Sequence, residues 1–569
     1  MSHQRTFASG KLETLVLAST LGVASLTASM GACGGGDNSS ATTQQGATGN
    51  VSSPTVCQNI DIASMIPGGA NEDPDVAAAN AFIDATEAQA LAQAQNPAAL
   101  DAYHQEVLIG KAEIYDRTLS VNKNLACASC HLPFTGFTGG VSVWNQTIVA
   151  QPGSVPITNA VPPEPNFRLA PRKPQSYAYA AFAPILHYNA TQQSFYGGNF
   201  WDMRATGTHL DNPAAEQAEG PPVNPVEMGM PDTACVVYRA SLTKYRALFE
   251  AVWGPQSFAI KWPANVETVC STPGPAPASN PFPVQLSATD RGTSNVTFQN
   301  MTISMASYEA GPEVSPFSSK FDQFLAGSTQ LTAQEQNGWS LFHGKAKCNQ
   351  CHLDGTAAGT MGQVTPADVA PLFTDFTANN IGIPNNPCLP YLFESKPDQV
   401  GFVANPAGTG FVDLGVGAFL AGNGAAPNPN PTEWGPLAPK FNGMFQTPTV
   451  RNVDMRPRPD FVKAYMHNGY LKSLKEVVHF YNTSQSLPHC NAGSPGEKTT
   501  CWPVAAVPQT LNTTQLGNLG LSSSEEDDII AFLRTLTDGF NAQAGADAGQ
   551  PTDAGQPTDA GQSTDARGD

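Results

Sequence analysis

Where apolar positions along this chain are periodic, the period is mostly that of a helix. Thr332-Ala-Gln-Glu335 has the form of a capping box, and Trp339 and Phe342 follow it at helical spacing. Ser522 to Glu525 repeats the start signal and leads into DDIIAFLRTLTDGF, where Ile529, Phe532, Leu533 and Leu536 share one face. Val477 to Tyr481 continues a helix that begins near Ser473. Pro-rich stretches at 151–174, 271–284 and 425–440 predict long connections between such segments. The pattern predicts a mainly α body with long loops.

The two ends break this pattern differently. Arg5 and Lys11 precede an apolar, small-residue run from Thr14 to Ala32, which stops at Cys33. The run resembles a bacterial lipoprotein signal (apolar, small, small, Cys), with Met30 where Leu is commoner. It predicts a signal peptide over 1–32, cleavage before Cys33 and a lipid on that cysteine; ordinary secretion is the alternative. Residues 33–56, rich in Gly, Ser, Thr, Asn and Gln, predict a flexible linker. No later stretch has 18 uninterrupted apolar residues, so no membrane span is expected in the mature chain. Residues 541–569 carry the repeat DAGQPT, DAGQPT, DAGQST with almost no large apolar side chain, which predicts a disordered tail. The expected location is outside the cytoplasm of a Gram-negative-type bacterium, periplasmic or anchored at the outer membrane, with membrane contact only through the lipid.

Composition narrows the partners. The formal net charge of −19 over 569 residues repels phosphate backbones and excludes nucleic acid as a partner. It favours a basic protein or a small neutral substrate.

With only 11 Cys and 10 His in the chain, their placement is informative. Cys127-Ala-Ser-Cys130-His131 and Cys348-Asn-Gln-Cys351-His352 are both C-x-x-C-H, the spacing of covalent haem attachment: two thiols add to the haem vinyl groups and the adjacent His ligates the iron. A zinc ribbon needs its C-x-x-C pairs about 15–20 residues apart, and these are separated by far more. Two covalent c-type haems are expected, on His131 and His352. Six further cysteines (57, 235, 270, 388, 490, 501) suit disulfides in an oxidising compartment, with Cys235–Cys270 and Cys490–Cys501 favoured by proximity.

The position opposite each proximal His decides between catalysis and electron carriage. Leu132 to Leu186 contains no His and no Met, so the first haem is the candidate for an open iron; His187 and His209 are the residues that could still reach it. The second half offers Met444, Met455, Met466 and His467 as sixth ligands, and spacing alone does not choose among them.

From about Glu106 to Phe540 the chain resembles the bacterial di-haem cytochrome c peroxidase family, which includes related di-haem enzymes that oxidise proteins. The resemblance is carried in order by IGKAEIYDRTLSVNKNLACASCHLPFTGF, FWDMRA (Phe200–Ala205), EQAEGPPVNPVEM (Glu216–Met228), LFHGKAKCNQCH, and FQTPTVRNV with KAYMHNGYLKSLKEVVHFYN (Lys463–Asn482). It implies two cytochrome c-like haem domains: an N-terminal peroxidatic domain over 57–315 and a C-terminal electron-transfer domain over 316–540. It also implies Met466 as axial ligand of the second haem with His467 as competitor, Glu227 as acid/base over the open haem, Gln217 as its partner amide, and Trp201 between the haems. A carboxylate can move a proton from one peroxide oxygen to the other, and an amide can orient the peroxide without competing for that proton. Asp202 and Arg204 are expected to be a structural ion pair.

The implied function is reduction of hydrogen peroxide to water with electrons from a small donor protein, a c-type cytochrome or a cupredoxin. Alternatives are oxidation of a side chain on a partner protein, and non-enzymatic electron carriage at the cell surface. A homodimer is compatible with the resemblance. Four departures stand out: six extra residues between Trp201 and Gln217; no blocking His after the first motif, so no gate that prior reduction must open; an unmatched insertion over 356–437; and Lys173, a cation, where the family's inter-domain calcium takes an Asn.

Overall fold

The computed structural model describes residues 72–97, 100–158, 167–354, 371–423 and 426–541. The expected leader, Cys33, Cys57, the whole of the linker and nearly all of the repeat tail lie outside them. Helices dominate, joined by long irregular segments; the strands are two short antiparallel pairs, His187–Asn189 with Ser194–Tyr196 and Ala378–Asn379 with Phe445–Gln446. Among the described residues no helix is long and apolar enough to cross a membrane.

Two lobes each build a core around a helix that precedes a C-x-x-C-H motif. In the first, Ala102–Tyr115 packs against Ala288–Ala310. Gly110 makes that approach possible, since a Cβ there would overlap the carbonyl of Ser304. In the second, Ala333–His343 packs against Ser523–Arg534, and Gly338 meets the Asp528 carbonyl in the same way. Each lobe has its own apolar cluster, one containing Ile109, Met301 and Tyr308, the other Phe321, Phe342, Phe532 and Leu536.

The predicted helix starts are found. Thr332 accepts from the Glu335 amide at 3.2 Å and Glu335 accepts from the Thr332 amide at 2.6 Å. Ser522 and Glu525 form the same reciprocal cap, and Ser473 caps Leu474–Thr483. Both favoured disulfides, Cys235–Cys270 and Cys490–Cys501, are present, and Cys388 is also disulfide-bonded.

The connection expected at 425–440 is more ordered than Pro content suggested. Pro431–Trp434 and Gly435–Phe441 form short helical turns, because proline is tolerated in a first turn and Trp434 anchors the segment in a local core. The described part of the 356–437 insertion packs on both halves of the chain: Phe373 and Ile383 join the second cluster, and its later residues dock on the first half. Phe419, Leu420 and Trp434 cluster with Leu186, Phe195 and Met203. Buried Arg168 donates from Nε to Asp398 at 2.8 Å, and Arg172 donates to Asp413 at 2.6 and 2.8 Å.

Candidate haem sites

The two motifs share one local design. Cys127–Ser129 and Cys348–Gln350 are single 3₁₀ turns, which bring both thiols and the following His to one side. His131 Nδ1 lies 2.9 Å from the carbonyl of Phe137, and His352 Nδ1 lies 3.1 Å from that of Phe373. Donation from Nδ1 leaves Nε2 as the lone-pair nitrogen, the form that ligates a metal. Phe137 and Phe373 both have left-handed backbone, with φ of 59° and 53°. Such strain costs a bulky residue about 1–3 kcal/mol, and here it turns each carbonyl onto its histidine. Burial pulls His131 down to about 4 and also lowers His352, so both rings are neutral near pH 7.

The residues fit covalent haem. Cys127, Cys130, Cys348 and Cys351 remain thiols in a chain that forms disulfides elsewhere. Beside the first motif the buried hydroxyl of Tyr177, whose ring is 5.1 Å from that of His131, has no hydrogen-bond partner among the described residues. At the second motif Cys348, Cys351 and His352 line a cavity of about 250 Å³.

Of the four candidate sixth ligands, Met466 and His467 line this cavity. Met444 packs instead in the cluster around Phe441, and Met455 offers its carbonyl to Lys463. His467 is stacked on Phe445 at 3.6 Å, edge-on to Trp201, and burial pulls it down to about 4. Met466 sits in a tight turn with φ of 66°, its carbonyl accepting from Gly469. Trp201 lines the same cavity, although it belongs to the first half of the chain, and donates from Nε1 to the Lys173 carbonyl at 2.9 Å.

Glu227 lies within electrostatic reach of the first motif. Its charge is felt at both Cys127 and Cys130, and burial pushes its carboxyl above the usual range against the pull of Arg204 and a 2.6 Å bond from Asn224 Nδ2. Gln217 is half-buried on Pro213–Ala218, which runs through Gly220–Val223 into Asn224 and Glu227. Among the described residues no hydrogen bond joins Gln217 to Glu227. Glu216 closes the loop enlarged by six residues, accepting from the amides of Gly207, His209 and Leu210. His187 is exposed and bonded through Nδ1 to the Ile185 carbonyl; His209 is exposed, 3.7 Å from Glu219. Asp202 is an ion-pair centre, 2.8 Å from Arg204 and 2.6 Å from Arg172.

Sequence reasoning missed Asn224, Glu216 and the buried Lys463, and it singled out Lys173 without its burial. The N-P-V-E run held a signal for Asn224, whose side chain reaches a carboxylate three residues on. Lys173 and Lys463 are buried, and burial pushes both ammonium groups down to about 7.

A family model described as di-haem cytochrome c peroxidase matches residues 104–330. The chain belongs to the di-haem cytochrome c peroxidase family. Family membership supports two covalently held c-type haems. Among curated relatives, the methylamine utilization protein MauG of Paracoccus denitrificans (strain Pd 1222) is 28% identical over 432 residues, 76% of this chain and 88% of that one. Cytochrome-c peroxidase IdrP1 of Denitromonas iodatirespirans is 23% identical over 450 residues, 78% and 83% of the two chains. Among solved structures, the diheme peroxidase BthA from Burkholderia thailandensis E264 matches with a TM-score of 0.52 at 24% identity, over 76% of this chain and 86% of that one. That likeness shows the di-haem peroxidase fold.

Proposed function

We propose that this chain reduces hydrogen peroxide to water with electrons from a small redox protein. What supports this reading is the asymmetry of two otherwise equivalent motifs: a buried Glu227, its carboxyl raised by burial, acts on the thiols of the first, and Met466 lines the cavity of the second. When bound, the haems supply the binding site for peroxide and the electrons that cleave it.

The chain's own residues supply the proton path and the alignment. Glu227 accepts the proton of the peroxide oxygen nearer the metal and returns it to the departing oxygen, which leaves as water. The Asn224 bond holds one carboxyl oxygen, so the other is aimed at the substrate. Gln217 orients the peroxide through its amide. Trp201 spans from Lys173 to the second cavity and keeps the route between the haems packed and dry. A thioether ligand from Met466 raises the potential of the second haem, which suits it to hold an electron in reserve. The surface positions of His187 and His209 count against a pure electron carrier, which needs both irons capped.

The test is steady-state peroxide consumption by the two-haem holoprotein with a reduced small c-type cytochrome or cupredoxin. Turnover that collapses in Glu227→Gln supports the reading. No turnover in the wild type, together with peroxide-dependent oxidation of a partner protein's side chain, replaces it with the protein-oxidising alternative.

A further inference from the structure

Two buried lysines, Lys173 and Lys463, line the same cavity as Cys348, Cys351 and His352. Lys173, 8% exposed, donates from Nζ to the hydroxyl of Thr138 at 2.5 Å and to the Pro174 carbonyl at 3.1 Å. Lys463, 4% exposed, donates to the carbonyls of Thr135, Asn452 and Met455 at 2.8, 3.2 and 2.8 Å. Among the described residues neither is ion-paired with a carboxylate, and the charge of Lys173 acts on Lys463. A buried charge without a counter-ion is expensive unless its hydrogen bonds are satisfied, so these oxygens hold the two cations in place.

The acceptors have a common address. Thr135 and Thr138 bracket Phe137, whose carbonyl fixes His131. Lys463 lies three residues before Met466. The Lys173 amide donates to the His467 carbonyl at 2.7 Å, and its own carbonyl takes the Trp201 indole N–H. Thus the loop that aims the first proximal histidine is tied by cations to the segment facing the second haem.

We propose that Lys173 and Lys463 form an internal cationic brace that positions His131 against the Met466 segment and replaces a divalent cation between the lobes. A calcium ion needs about 6–8 oxygens at close range. The oxygens gathered here already accept hydrogen bonds from the two lysines, so the close oxygen set that calcium needs is taken. Calcium therefore does not fit, and the chain carries its own cation. The proposal rests on reading both motifs as haem sites.

The test uses the two-haem holoprotein, with haem and calcium counted per chain. After dialysis against EGTA the wild type is expected to hold no stoichiometric calcium and to keep the electron paramagnetic resonance signals of both haems. Lys173→Met, with both haems attached, is expected to shift both signals and to slow electron passage between them about tenfold, the loss expected for one charged hydrogen bond. Should Lys173→Met not fold, Thr138→Val removes a single acceptor and shifts the same signals less. One tightly bound calcium whose removal perturbs the haems, or a folded Lys173→Met (or Thr138→Val, where it stands in) with both signals unchanged, overturns the brace. Failure of the functional reading shows separately, as an absence of peroxide turnover in a wild type whose haem signals still report on the brace.

Discussion

The two C-x-x-C-H sites differ on one side only. Their proximal halves match: a 3₁₀ turn, a neutral histidine, and a left-handed phenylalanine carbonyl on Nδ1. Their surroundings do not. Glu309, Glu227 and Glu113 all act on Cys127. Among the described residues no carboxylate acts on Cys348, and Asp375 alone of the carboxylates acts on Cys351. Ligation is thus common to both sites, while the capacity to store and move protons is concentrated at the first. The second has a methionine and an aromatic wall instead. On the proposed function, this contrast assigns protons to one lobe and an electron to the other.

Removing the proton-handling group should break that division most severely. Glu227→Gln keeps the shape and the Asn224 contact but cannot take a proton. Peroxide turnover should fall about 10²–10⁴-fold, with haem content and the second haem's spectrum unchanged. Turnover within a factor of three of wild type would move the acid/base role elsewhere.

The second site is tested by changing the sulfur. Met466→His should lower the reduction potential of the haem on His352, because imidazole favours the oxidised iron relative to a thioether. A potentiometric titration should show that couple moving down while the couple on His131 stays. If neither couple moves, His467 is the ligand already, and its stacking on Phe445 must be broken in the holoprotein.

How much of this contrast could be read without a structure follows from how local each feature is. The haem motifs, the capping boxes at Thr332 and Ser522 and the two disulfides each lie within a few tens of residues, and the one-dimensional pattern contained them. Spacing alone narrowed the sixth ligand only to four, the resemblance favoured Met466 over His467, and the closed cavity holds these two and not Met444 or Met455. Least legible were contacts made across the fold. Arg168 meets Asp398 and Arg172 meets Asp413 at separations of 230 and 241 residues. The Lys463 ammonium meets Thr135 across 328. An isolated Arg, Asp or Lys carries no signal of a partner so distant, and an insertion unmatched in sequence gave no hint that it would supply one.

Acid should separate the sites again, more mildly. Burial raises Glu227, and only its ionised form can accept the peroxide proton. The acidic limb of kcat/KM should therefore lie above the usual glutamate range and disappear in Glu227→Gln. A limb at the ordinary glutamate position would mean that the carboxyl is solvated in the working enzyme.

The smallest effect concerns stability. Glu309 is 4% exposed, and burial pushes it up to about 8 from the usual 4.5. In that interval the folded chain keeps a proton that the unfolded chain gives up. A carboxyl shifted upward stabilises fully below 4.5, and the contribution is lost as pH rises towards 8. The slope is at most about 1.4 kcal/mol per pH unit within the window. Glu309→Gln is neutral at every pH, so its denaturation midpoint should vary less between pH 5 and pH 8 than that of the wild-type holoprotein. Equal slopes in the two proteins would mean that Glu309 is ionised when folded. The first site's reserve of protons would then be reduced to Glu227 and Glu113, and the contrast between the lobes would rest on the distal residues alone.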